Sequence, residues 1–287
     1  MPRTVLVTDS TASLPPDVAA ARGIEVVPLQ VVIGATSYDE GVDGATPEMV
    51  AEALREFRPV STSRPAPAVM LEVYERAAAA GADQVVSVHL SGEMSGTYES
   101  AQLAARDASV PVLAVDSRQV GISTGFAVLA AADALDAGGS AQEAAEAARR
   151  RAAATTSLFY VDTLEYLRRG GRIGAAAALL GGALAVKPLL TIEDGRVATL
   201  EKVRTSGRAL ARLEELAVTA ADEGQADVGV AHLASEDRAA QLVERLAERL
   251  ADNLGDRQIH CGEVGAVLGA HVGPGMLAVC VAPRDAD

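Results

Sequence analysis

A chain of 287 residues is long enough for one large domain or two modest ones around a sizeable core. Hydrophobic residues make up 49% of it and charged residues 22%, which excludes an intrinsically disordered polypeptide. A net charge of −14 argues against general nucleic-acid binding and against an anionic membrane surface, and with no Trp and three Phe there is little for single-stranded bases to stack on.

The first half alternates strand and helix signals. Val5-Leu6-Val7 reads as a strand and Leu14 to Arg22 as a helix opened by Ser13 and prolines. Ile24 to Ile33 is extended and apolar. Pro47 to Glu56 and Pro67 to Ala79 read as helices, each with Pro in its first turn. Val85 to Val88, Val112 to Val115 and Leu158 to Val161 are short apolar strands, with helices expected at Tyr98 to Arg106, 121–137 and 140–154. This spacing implies βαβ units and a mostly parallel sheet.

The second half changes character. Pro188 to Val203 reads as a hairpin about Asp194-Gly195. Helix 206–222, strand 227–233, helix 236–249 and strands near 257–263 and 276–282 follow. The expected architecture is a two-lobed α/β protein. Residues 1–155 form a mostly parallel α/β domain, and residues 156–287 an α+β domain that completes a pocket between the lobes.

Gly174 to Val186 is apolar but glycine-interrupted and shorter than the ~20 residues of a membrane span. The opening MPRTVLVTDS runs into a strand pattern without a signal-peptide profile. Cys261 and Cys280 are too few and too far apart for a disulfide framework and read as core thiols. A cytoplasmic protein, with a monomer as the default state, is the expectation.

Several motifs carry chemistry. HLSGEMSGTYESA (89–101) leaves a strand and opens a helix, a place where backbone N–H groups and the helix dipole hold an anion. By itself this loop suits a phosphate, a reaction oxyanion or a carboxylate. Thr62-Ser63-Arg64-Pro65 also precedes a helix and offers the same chemistry. Asp9, Asp116 and Asp162, each beside a hydroxyl at a strand end, ring the crevice or cap the next helix. Gly121-Ile122-Ser123-Thr124-Gly125 matches a nucleophile elbow, but its strand ends about five residues too early. No P-loop and no His or Cys cluster of metal-binding spacing occurs. Residues 168–212 hold nine Arg or Lys against three acids, a balance of +6, so the remainder sums to −20. Such a segment suits an anionic partner or a solvated helix face.

Taken together, these motifs resemble the DegV-like fatty-acid-binding proteins. The likeness runs through VTDSTASLP (7–15), TSRP (62–65), LSGEMSGTYESA (90–101), VDS (115–117), VDTLEYLRRGGRI (161–173), KPLL (187–190), DGRV (194–197), KVRT (202–205) and HVGPG (271–275). Arg64 stands where that family usually has Gln, Val272 where it has Thr, and Gly92 where Ser is frequent.

The resemblance implies a long-chain fatty acid (palmitate, stearate or oleate type) held in an interior tunnel, with no metal and no catalytic residue. It further implies that a separate ATP-dependent fatty-acid kinase phosphorylates the presented carboxylate for phospholipid synthesis. Thr62 and Ser95 would bind the carboxylate, with Ser63, Gly96, Thr97, Arg172 and His271 near the head group. Ala175 to Val186 would supply tunnel wall, and Arg204 and Arg208 would face the kinase. The competing reading is a serine-dependent acyl-ester hydrolase with Ser95 as nucleophile and His89 or His271 as base. A DNA-binding regulator is disfavoured by the acidity of the chain.

Overall fold

The computed structural model describes residues 2–41, 44–179, 187–222 and 224–284. The apolar stretch expected to wall a tunnel, 175–186, therefore lies largely outside the described residues. The strands are β1 (Thr4–Asp9), β2 (Ile24–Val27), β3 (Gln30–Ile33), β4 (Thr36–Asp39), β5 (Val60–Ser63), β6 (Gln84–His89), β7 (Val112–Asp116), β8 (Thr156–Tyr160), β9 (Lys187–Glu193), β10 (Arg196–Val203), β11 (Ala226–His232), β12 (His260–Glu263) and β13 (Leu277–Pro283). The helices are α1 (Pro16–Ala21), α2 (Pro47–Arg55), α3 (Pro67–Ala79), α4 (Thr97–Asp107), α5 (Ile122–Asp136), α6 (Ala141–Ala154), α7 (Glu165–Arg169), α8 (Ser206–Ala221), α9 (Glu236–Arg249), α10 (Ala251–Leu254) and α11 (Ala266–Val272).

Among the described residues these strands form three sheets. The first is all parallel in the order β2-β1-β6-β7, as the alternation of the first half requires. The second is mixed, in the order β10-β9-β8-β13-β11-β12, with β11 and β12 its parallel pair. Its β9–β10 hairpin turns at Asp194 (φ +51°) and Gly195 (φ +77°), the two left-handed residues of a tight hairpin turn. The third is a small antiparallel sheet, β4-β3-β5.

That small sheet was not legible in the sequence. The extended run Ile24 to Ile33 breaks at Pro28, which has no N–H to donate, and Leu29 donates its own amide to Ser10 Oγ at 3.0 Å. Consequently β2 joins the parallel sheet and β3 the small one. Strands such as Thr36–Asp39 and Val60–Ser63 are short and polar, so no alternating pattern announces them. Likewise β8 joins the mixed sheet, antiparallel to β13 and β9.

Helices α5 and α6 pack together, and both contact the parallel sheet and the mixed sheet. The first turn of α5 is fully enclosed: Ser123 and Thr124 are 0% exposed, their hydroxyls meeting Ser157 Oγ (2.7 Å) and Ser117 Oγ (3.1 Å). Ser123 is thus a satisfied helix residue and not an exposed elbow. No helix among the described residues is long and apolar enough to cross a membrane.

A buried polar chain fastens the middle of the parallel sheet. Asp9, at the end of β1, accepts the Thr11 amide and hydroxyl on Oδ1, and the His89 ring and the Leu90 amide on Oδ2. With its proton on Nδ1 facing Asp9, His89 accepts at Nε2 from Ser87 Oγ at 2.7 Å. Tyr74 in turn donates to Ser87 at 2.9 Å, and burial pushes its phenol up to about 12, so it stays a donor. All four side chains are fully buried. Asp9→Ala would strand three N–H donors and should cost at least ~3 kcal/mol, read as a lower midpoint with unchanged slope in urea unfolding.

Candidate functional site

A cavity of about 560 Å³ lies between the mixed sheet, the small sheet, α11, the start of α5 and the loop after β6. Its walls are largely apolar, with Leu90, Met94, Ile122, Phe159, Ile192 and Val197 among them. The size falls within the ~300–1,000 Å³ usual for pockets that take small ligands.

The polar groups gather from four separate parts of the chain. Thr62 and Ser63 close β5, Ser95 and Gly96 precede α4, and Arg172 and His271 come from the loop after α7 and the end of α11; all six line the cavity. Thr62 Oγ1 and His271 Nε2 are 2.8 Å apart. Ser95 Oγ lies 2.9 Å from Thr97 Oγ1 and accepts the Thr97 amide at 3.3 Å, at the start of α4 where the dipole favours negative charge. Arg172 donates to the carbonyls of Met94 (3.0 Å) and Gly170 (2.6 Å), which ties the α7 loop to the Ser95 loop. A Cβ on Gly170 would stand 2.1 Å from His271 Nδ1, so only glycine lets the imidazole lie against that turn. At the rim, Arg64 donates to Gly96 O (3.0 Å) and Glu99 (2.5 Å).

The supports of α11 explain how His271 arrives there. Glu40, following β4, accepts the Val267 amide at 2.8 Å in the first turn of α11. Burial raises the Glu40 carboxyl above its ordinary range, and hydrogen bonds from Ser10 and the Val267 amide oppose that shift. Neither α11 nor this support was foreseen from the sequence. A buried apolar helix of seven residues is too short to display a period.

Chemically, the polar end offers hydroxyl donors, a helix start and the guanidinium groups of Arg172 and Arg64 to a ligand whose remainder is apolar. An acidic head with a long hydrocarbon tail matches that division. A family model described as "Uncharacterised protein, DegV family" matches residues 3–284. The chain belongs to the DegV family. A DegV domain-containing protein of Streptomyces coelicolor is 53% identical over 279 residues, which cover 97% of this chain and 98% of that relative. Among solved structures, a DegV family protein of Thermus thermophilus described as binding fatty acid superposes with a TM-score of 0.90 at 34% identity, covering 98% of this chain and 100% of that one. The DegV of Bacillus subtilis, described as a fatty acid binding protein, gives 0.90 at 30% identity over 99% and 100%.

Within this DegV fold the residues expected from the sequence occupy different positions. Thr62 does not begin a helix, because it lies in β5 with α3 starting five residues later at Pro67. Thr97 is fully buried behind Ser95 and orients it, without lining the cavity. The acid-hydroxyl pairs at the strand ends do not ring the cavity. Asp9 is buried in its own network, Asp116 accepts the amides of Gly92 (3.1 Å) and Arg118 (2.8 Å), and Asp162 accepts Tyr160 Oη (2.5 Å). Cys280 is buried and lines the cavity, whereas Cys261 is exposed and is no core thiol. Arg168 and Arg169 both engage Glu165, and Arg212 engages Glu201 and Glu215, while Arg204 and Arg208 are exposed and join no ion pair among the described residues.

Among the described residues neither proposed base hydrogen-bonds Ser95. His89 is spent on Asp9 and Ser87, and His271 on Thr62. Ser87, His89 and Asp9 form a hydroxyl–imidazole–carboxylate chain, yet none of the three reaches the cavity surface.

Burial, and after it the Arg172 guanidinium, push the His271 imidazole down to about 4. It is therefore neutral at physiological pH. A base whose folded pKa lies below its unfolded value of about 6.5 stabilises fully above that value and loses its contribution as pH falls toward 4. The stability of the parent should fall by roughly 2–3 kcal/mol from this group between pH 7 and 4.5. His271→Gln should show a correspondingly shallower acid slope in urea titrations at the two pH values.

Proposed function

We propose that this protein binds a long-chain fatty acid in the cavity described above, tail against the mixed sheet and carboxylate at the Thr62–Ser95 end. One observation carries the reading: Thr62, Ser95, Arg172 and His271, distant in sequence, meet at one end of a cavity that is otherwise largely apolar. The fatty-acid binding attributed to the Thermus and Bacillus proteins of the same fold supports it.

Energetics agree with that assignment. Burying the roughly fourteen methylenes of a sixteen-carbon acid is worth about 11 kcal/mol gross, at ~0.8 kcal/mol each. That exceeds the several kcal/mol lost in association and ordering. The buried carboxylate needs hydrogen bonds, and each to a charged group returns roughly 1.5–3 kcal/mol. The tail thus sets affinity and the head group sets orientation. If the neutral His271 donates from Nε2 to Thr62 Oγ1, the Thr62 hydroxyl proton is free to point at the carboxylate.

A carrier role follows, in which the carboxylate is offered to a separate ATP-dependent fatty-acid kinase in the cytoplasm, feeding phospholipid synthesis. The exposed cations Arg204 and Arg208, flanking the start of α8, are the surface assigned to that partner. The two-lobe division near residue 155 and a monomeric carrier belong to the same reading.

Mass spectrometry of organic extracts from the denatured protein should yield palmitate, stearate or oleate near one equivalent. An empty extract, with no uptake of added fatty acid, would sink the reading. Thr62→Ala and Ser95→Ala should each weaken fatty-acid binding by roughly tenfold to a hundredfold, measured by displacement of a fluorescent fatty acid. Arg204→Glu should slow turnover by the kinase several-fold with fatty-acid affinity unchanged; loss of both together would remove Arg204 from the docking surface.

A further inference from the structure

A second groove, of about 500 Å³, runs between the turn that leads into β5, helix α7 and the end of α11. Thr62, Arg172 and His271 line this groove and the apolar cavity alike, so the Thr62–His271 contact belongs to a wall between the two spaces. Arg58, just ahead of β5, and Arg169, which ends α7, line the groove without lining the cavity. Their side chains are 49% and 56% exposed, within reach of a ligand arriving from solvent.

Charge in the groove is one-sided. No Asp or Glu stands among its described lining residues. The acids that pair with these arginines lie outside it. Arg58 Nε is 3.2 Å from Glu56, and Arg169 Nε donates to Glu165 at 2.7 Å, an acid that Arg168 engages as well. The guanidinium groups of Arg58, Arg168, Arg169 and Arg172 thus meet two carboxylates, leaving two positive charges in excess. The terminal nitrogens of Arg58 and Arg169, and Nη2 of Arg172, make no hydrogen bond among the described residues. Ion pairs as exposed as these contribute little and yield readily to a more highly charged ligand.

A phosphoryl group fits this set of donors. It carries about two negative charges at neutral pH and presents three acceptor oxygens, which arginine meets with paired, parallel N–H bonds. Within the cavity, by contrast, Arg172 holds the Met94 and Gly170 carbonyls, and Arg64 holds Gly96 O and Glu99. A carboxylate at Thr62 that becomes an acyl phosphate therefore finds its further donors across the shared wall.

We propose that this groove takes a phosphoryl group adjoining the bound carboxylate, held by Arg58 and Arg169 beside the wall of Thr62, Arg172 and His271. The proposal rests on the fatty-acid reading above. The group is either that of the acyl phosphate or the terminal phosphate of the nucleoside triphosphate that donates it. In the transfer, a carboxylate oxygen bonds to the terminal phosphorus as the bond from that phosphorus to the nucleoside diphosphate breaks. The electron pair leaves with the diphosphate, and no proton moves.

The test uses the full chain and two probes, without the kinase. One is the phosphonate analogue of palmitoyl phosphate, a methylene replacing the bridging oxygen, competed against a fluorescent fatty acid. The other is inorganic tripolyphosphate, titrated calorimetrically into the palmitate-loaded protein. Arg58→Gln combined with Arg169→Gln is expected to weaken at least one probe tenfold or more, with palmitate affinity held within twofold. Loss confined to the phosphonate assigns the acyl phosphate, loss confined to tripolyphosphate assigns the donor, and loss of both assigns the groove to each in turn. If palmitate binds but neither probe responds to the substitutions, the proposal is overturned and the fatty-acid reading stands. A pure docking role for these arginines gives that same result, since no kinase is present. Equal weakening of palmitate overturns the proposal too, because the arginines would then serve the carboxylate itself. Failure of the parent to bind palmitate overturns both readings. Circular dichroism checks folding, and each single substitution replaces the double variant should that not fold.

Discussion

The carboxylate of Asp9 joins the two central strands of the parallel sheet at the ends where the cavity loops depart. Its two oxygens collect the Thr11 amide and hydroxyl, the His89 ring and the Leu90 amide, all of them buried. A carboxyl group this deep is tolerated only when its oxygens are hydrogen-bonded. That requirement sets where β6 ends and how the chain leaves it. The loop from Leu90 to Gly96 is then held from the other side, by Ser91 donating to Gly195 O at 2.7 Å, Arg196 to Glu93 at 2.8 Å and Arg172 to Met94 O. Ser95 is placed by both sets of bonds, and the hairpin turn at Asp194-Gly195 belongs to the site although it lies far from it in sequence.

The polar end of the cavity is built without a fixed carboxylate among its lining residues. Its two guanidinium groups are both engaged, Arg172 with two carbonyls and Arg64 with Gly96 O and Glu99, and its imidazole is kept neutral by burial and by Arg172. Such a site stabilises one negative charge modestly and offers no strong base. The arrangement suits holding an anion at the mouth of an apolar space more than attacking an ester, because attack needs a base within reach of the nucleophile. Ser95 instead finds Thr97 and the start of α4.

The Ser87–His89–Asp9 chain is instructive for the same reason. Its distances, 2.7 and 2.9 Å, are those of a working triad. Its burial makes it a fastening, since no substrate reaches Ser87 and Tyr74 already occupies that hydroxyl. Residue types and spacing define a reactive arrangement only together with access, and access belongs to the packing.

The parallel order of the first sheet, the long helices and the Asp194-Gly195 hairpin were legible in the sequence because each rests on local physics: apolar runs, first-turn prolines and a turn dipeptide with left-handed backbone preference. The TSRP and MSGT motifs stood out in the sequence for the same reason, and their Thr62 and Ser95 line the cavity. Only the tertiary structure decided that Thr62 lies on an edge strand of a third sheet, that His271 reaches it from a helix too short to show a period, and that Thr97 supports Ser95 without facing the cavity. It also decided that His89 is a strut and that His232 pairs with Glu263, 31 positions along the chain, on the last rung of β11 and β12. Those outcomes depend on which buried donors and acceptors find each other across distant segments, a pairing that no local pattern encodes.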